Sequence, residues 1–139
     1  MKRSDFIHAT CSFCLLSASG LLATLSSCSP AAFPIFKTEV ADKKISVPLK
    51  LFDQAPLQIV RPKELFYDIA VQKKDNVYTA LQLLCTHQQN QLTVTGSGYT
   101  CNLHGSQFDR SGNVRKGPAE RPLRQLKTTV ANDTLLIDV

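Results

Sequence analysis

Four residues carry the chemistry this sequence can do. Cys85 and His87 stand one residue apart, Cys101 and His104 two apart, and thirteen residues separate the pairs. Thiolate and imidazole are the side chains that bind borderline and soft metals. Two of each, interleaved as C-x-H and C-x-x-H, form a complete metal-ligand set. The same Cys2His2 inventory suits zinc, and zinc remains a competing reading. Zinc motifs, however, usually group C-x-x-C and H-x-x-x-H, whereas each short segment here mixes one Cys with one His. With His87 and His104 given to a metal, the region beyond the N-terminal segment has no histidine left for general acid–base catalysis.

The flanking residues make the pattern more specific. Cys101-Asn102-Leu103-His104 continues into Gly105-Ser106-Gln107-Phe108-Asp109, and further on stands Gly117-Pro118-Ala119-Glu120-Arg121-Pro122-Leu123. Over roughly residues 45 to 139 the sequence resembles the Rieske iron–sulfur family. It shares the two ligand loops and a third, proline-containing loop that covers the cluster. The resemblance implies one [2Fe-2S] cluster, with Cys85 and Cys101 on an inner iron and His87 and His104 on an outer iron near solvent. It also implies that Gly105 supplies unusual backbone angles after a ligand, and that Ser106 donates to a bridging sulfide.

Charge arithmetic explains what histidine ligands do. Two ferric ions, two sulfides and two thiolates sum to zero, whereas four thiolates would leave a net negative centre that resists an added electron. The exchange raises the potential into a range of about −150 to +300 mV. The imidazoles can also lose protons, so reduction and protonation are expected to be coupled. Quinol-oxidising members of the family carry a disulfide between the loops, at positions that here hold Asn90 and Leu103. Phe108 stands where high-potential members have a tyrosine donor. The expected potential is therefore intermediate, and the loops lack their covalent staple.

The N-terminus reads as an export signal. Lys2 and Arg3 precede an apolar stretch, Phe13 to Leu25, diluted by hydroxyls and a glycine. That stretch is shorter than the ~20 residues a spanning helix needs. Leu25-Ser26-Ser27-Cys28 resembles the lipobox of bacterial lipoproteins, which implies cleavage and acylation at Cys28. Lys2-Arg3-Ser4-Asp5-Phe6-Ile7 looks like a degraded twin-arginine signal. Residues 1–27 are then a cleaved signal that removes His8, Cys11 and Cys14. Residues 28–40, with Pro30 and Pro34, form the lipidated end and tether, and 41–139 the Rieske domain. The localisation implied is periplasmic, on a bacterial membrane, through a lipid anchor that does not span it.

The elements that must position the ligands read as short strands. Ile45, Val47, Leu49 and Leu51 alternate with mostly polar neighbours, predicting a half-buried strand. Phe66–Val71 and Val77–Leu84 predict a hairpin across Lys73-Lys74-Asp75-Asn76. Leu92–Thr95 and Tyr99–Cys101 predict another across Gly96-Ser97-Gly98, linking the ligand loops. Leu123–Val130 and Thr134–Val139 flank Asn132-Asp133. No segment carries a sustained helical period. The expected fold is all-β, of small stacked antiparallel sheets with two cluster-binding loops and a proline loop.

At 139 residues, 43% of them apolar and 19% charged, the chain supports one core and is not disordered in composition. The formal charge of +5 is mild and dispersed, which argues against nucleic acid. Arg110, Arg115, Lys116, Arg121, Arg124 and Lys127 gather late in the chain. A solvated surface is the ordinary reading of these residues. The functional one is a positive rim that steers an acidic redox partner. Together these features predict a membrane-tethered carrier of single electrons between extracytoplasmic redox partners, such as a cytochrome or an oxidoreductase. It would have no substrate chemistry of its own. An electron-transfer subunit of a membrane oxidoreductase or cytochrome complex is the alternative, and a zinc-binding module the distant one.

Overall fold

The computed structural model describes residues 32–139, so the signal segment and Cys28 lie outside the described residues. Among these residues there are twelve strands and no α-helix. The strands are β1 (Ile35–Thr38), β2 (Lys44–Pro48), β3 (Leu57–Pro62), β4 (Ile69–Lys74), β5 (Val77–Gln82) and β6 (Thr93–Val94). They continue as β7 (Gly98–Thr100), β8 (Gln107–Asp109), β9 (Val114–Lys116), β10 (Gln125–Leu126), β11 (Thr128–Ala131) and β12 (Thr134–Asp138). They form three sheets, ordered β1-β3-β4-β5-β10, β11-β12-β2 and β6-β7-β8-β9. No helix among the described residues is long and apolar enough to cross a membrane.

The five-stranded sheet is the middle layer. Because successive strand residues point to opposite faces, its side chains divide between two cores. Leu57, Ile59, Ala70, Leu81 and Leu83 join a core with Tyr99, Phe108, Cys85 and Cys101. Val60, Ile69, Val71, Ala80 and Leu126 join the other, with Ile45, Val47, Leu135 and Ile137 of the three-stranded sheet. Burial on both faces explains why Ile59-Val60 of β3 and Ile69-Ala70-Val71 of β4 stand as consecutive apolar residues. The four-stranded sheet, which carries the second ligand loop between β7 and β8, packs on the first of these cores.

Several expectations shift. Leu49 and Leu51 do not continue β2. Thr134, the first residue of β12, pairs with Pro48, so beyond Pro48 there is no strand to bond. The chain instead turns through a short 3₁₀ helix, Leu49–Asp53, that buries Phe52. Phe66 and Tyr67 precede β4, which begins at Ile69, where it pairs with both Val60 and Gln82. Residues 35–38, expected within the tether, form β1, paired in parallel with β3 in the register Ile35↔Ile59 to Thr38↔Pro62. The sheets are therefore not wholly antiparallel. Both predicted hairpins form, as β4–β5 and β6–β7.

Candidate metal centre

The first ligand loop leaves the sheet after β5, and the second joins β7 to β8. In the first, the Cys85 N–H donates to Asn90 O at 2.8 Å and the Gln89 N–H to Cys85 O at 2.7 Å. In the second, the Cys101 N–H donates to Ser106 O at 2.8 Å and the Gly105 N–H to Cys101 O at 2.9 Å. Gln89 (φ 55°) and Gly105 (φ 77°) both adopt left-handed backbone, four residues after their cysteine. Such a bend lets a tight loop close on its own first residue. At Gly105 the positive φ alone favours glycine, since no atom stands within 4 Å of where a Cβ would lie.

The two loops bring four side chains together as two pairs. Cys85 and Cys101 are each 1% exposed, form no disulfide, and lie with Cys85 within hydrogen-bonding reach of the Cys101 sulfur. Burial pushes the Cys101 thiol up, but the Leu103 and His104 N–H groups and the Cys85 thiol outweigh it and hold it below the ordinary value. His87 and His104 are exposed, their rings edge to face with centroids 5.0 Å apart. Among the described residues no three His, Cys, Asp or Glu side chains gather around one point as a single ion would require. An inner pair of thiols and an outer pair of imidazoles is the donor set of a two-iron centre.

The proline loop closes over both ligand loops. Ser106 is fully buried, and its hydroxyl accepts from the Ala119 N–H at 3.0 Å, leaving its own proton to donate. On the other side the Thr86 hydroxyl donates to Arg121 O at 2.7 Å. The Gly117–Pro118 peptide, just before Ala119, is cis.

A family model of the Rieske [2Fe-2S] domain matches residues 34–127. The chain belongs to this family. It carries a Rieske domain, whose cofactor is a [2Fe-2S] cluster. The cytochrome b6-f complex iron-sulfur subunit of Synechococcus elongatus is 37% identical over 59 residues, which is 41% of this chain and 33% of that protein. The subunit of the same name from Chlorobaculum thiosulfatiphilum is 28% identical over 71 residues, 50% of this chain and 39% of that one. The Rieske match thus spans about a third of the length of these curated relatives. Among solved structures, the cyanobacterial plasma membrane Rieske protein PetC3 from Synechocystis PCC 6803 superposes with a TM-score of 0.53 at 22% identity, covering 66% of this chain and 95% of that one. A chain of the oxygenase–ferredoxin complex of carbazole 1,9a-dioxygenase does so at 0.50 and 18%, covering 70% and 94%. At these identities the two structures share the fold with this Rieske domain.

The residues present fit the cofactor. Cys85, His87, Cys101 and His104 are those that could hold it, and Ser106 lies on the loop that carries two of them. The expected positive rim is only partly free. The Arg110 guanidinium stacks over Phe33, 5.0 Å from the ring centroid, and donates to Thr95 O and Gly96 O. Arg115 lies 3.5 Å from Asp109. Sequence reasoning missed Gln89, whose left-handed backbone no residue type announces. It also missed Thr86 and Ala119 as the contacts to the proline loop, although Thr86 sits inside the motif.

Proposed function

We propose that the chain is a membrane-tethered carrier of single electrons between extracytoplasmic redox partners. In this reading Cys85 and Cys101 bind one iron and His87 and His104 the other. One observation carries it: the same two loops hold two buried thiols and, two and three residues on, two exposed imidazoles whose rings meet edge to face. When bound, the [2Fe-2S] cluster supplies a one-electron couple. The cysteines keep their side of the site dry, and the histidines present ring edges to solvent, where a partner can approach and ring protons can exchange with water. Ser106 orients a hydroxyl from loop two, with Ala119 fixing its rotamer. The lipobox-like Leu25-Ser26-Ser27-Cys28 supports acylation at Cys28, with export and cleavage before it.

The alternative, a subunit of a larger membrane oxidoreductase, draws on the names of the cytochrome b6-f relatives. Asn90 and Leu103, where quinol-oxidising members carry cysteines, favour the free carrier. The deciding experiment measures iron, acid-labile sulfide and zinc in the full chain from iron-replete cells, with EPR after reduction and mass analysis of the N-terminus. Two irons and two sulfides per chain, a rhombic signal and an acylated Cys28 are expected. One zinc without sulfide overturns the electron-transfer reading. A non-acylated chain overturns the tether, and a stable partner after mild extraction overturns the free carrier.

A further inference from the structure

The segment Arg121-Pro122-Leu123-Arg124 is held at three successive points. Arg121 O accepts from the Thr86 hydroxyl at 2.7 Å. Leu123 is buried in the core beneath the ligand loops, and its N–H donates to Gly112 O at 2.8 Å. Arg124 O accepts from the Gln82 N–H at 2.9 Å. These contacts use only backbone from the two arginines, so both side chains are carried outward on a fixed base. Both are exposed, and both line an open cleft whose other walls include Gln82, Thr86 and Gln89 of β5 and the first ligand loop. Thr86 stands between Cys85 and His87, so the cleft abuts the proposed centre.

No acidic residue lines this cleft, and neither guanidinium belongs to an ion pair among the described residues. Glu120 is exposed but points no carboxylate into the lining. Elsewhere Lys44, Arg61, Lys63 and Arg115 each have a carboxylate partner. Two rigidly based, unpaired guanidiniums amid neutral amides and a hydroxyl make a receptor for carboxylates, which Arg can bind with two parallel hydrogen bonds. We propose that this cleft is the docking point for a carboxylate-rich surface of an acidic redox partner, holding it beside the histidine edge of the centre. The inference rests on the electron-transfer reading, whose partner chemistry it specifies.

Two probes test it on the full, cluster-loaded chain. In the first, the dithionite-reduced protein gives one electron either to ferricyanide, forming ferrocyanide, or to tris(phenanthroline)cobalt(III), forming the cobalt(II) complex. Arg121→Glu/Arg124→Glu should slow the anionic oxidant about tenfold and speed the cationic one by a similar factor, reversing the dependence on salt. Lys73→Glu/Lys74→Glu, the same charge change at the far end of the β4–β5 hairpin, should alter both rates less than twofold. In the second, a labelled hexaglutamate peptide should bind the wild type and the lysine variant but not the arginine variant. Equal effects of the two double variants, or none, would overturn the cleft as a docking point. If the wild type holds no cluster, the electron-transfer reading fails, and peptide binding still decides the cleft by itself.

Discussion

Each ligand loop begins with a cysteine whose N–H reaches a carbonyl five residues on, and each is closed by a bond returning from the fourth residue to the cysteine carbonyl. The frame is common, left-handed bend included, yet the histidine sits two residues after Cys85 and three after Cys101. The supports differ as well. The second loop runs straight into β8 and rests on a buried serine. Each loop exposes three residues, 87–89 and 102–104, but the first is tied to the proline loop through a half-exposed threonine hydroxyl. On one frame, the histidine offset is what sets where each imidazole lies, and the tie to the proline loop is what sets how firmly. With Asn90 and Leu103 in place of a disulfide, hydrogen bonds do the stapling, and the first loop is the one expected to open first.

The largest effect should come from breaking the offset. Exchanging neighbours, as His87→Gln with Gln88→His, keeps composition and charge and alters only exposed positions. If the offset places the imidazole, iron content should fall by about tenfold or more, since losing merely a partner that orients a ligand costs about 10–100-fold in affinity, and the rhombic EPR signal of the reduced protein should disappear. Retention of both would mean the loop frame does not discriminate between offsets. The same exchange leaves the hydrophobic cores untouched, so the far-UV circular dichroism of the variant should match the wild type.

A smaller effect sharpens the difference in support. Ser106→Ala removes the only side-chain acceptor of the Ala119 N–H in a fully buried setting, which should cost about 2 kcal/mol. Thr86→Val removes a bond at a half-exposed position where water can replace it, and should cost about 0.5–1 kcal/mol. Denaturant unfolding of the two variants should keep that order. An inverted order would make the first loop the firmer one, contrary to the more exposed setting of its tie.

These contrasts were only partly legible beforehand. The donor residues, the hairpins β4–β5 and β6–β7, and the glycine bend at Gly105 follow from motif and turn chemistry, because those features depend on residues close in sequence. β3, reading Leu-Gln-Ile-Val-Arg-Pro, gave no alternation to find, since its side chains serve cores on both faces. β1 was hidden for a different reason. Its four residues, alternately exposed and half-buried, acquire strand geometry only from β3, more than twenty positions away. The end of β2 at Pro48 is likewise a property of its partner β12, not of Leu49 or Leu51. The equivalence of the two loops, finally, was masked because glycine marks the bend in one and glutamine occupies it in the other.

That last disguise yields the smallest prediction. A non-glycine residue in left-handed backbone costs about 1–2 kcal/mol relative to glycine, while glycine loses about 0.5–1 kcal/mol more chain entropy on folding. Gln89 bears the first cost in the native chain, so Gln89→Gly should stabilise the fold by a net of about 0.5 kcal/mol. Gly105→Ala runs the comparison the other way. No atom opposes its Cβ, so only the backbone strain is added, and the loss should be about 1 kcal/mol. The two substitutions together should leave a net loss of about 0.5 kcal/mol, since effects on separate loops add. Thermal unfolding of the single and double variants measures this directly. If Gln89→Gly destabilises, the glutamine side chain holds its loop by a contact that outweighs the strain, and the likeness of the two frames stops at their hydrogen bonds.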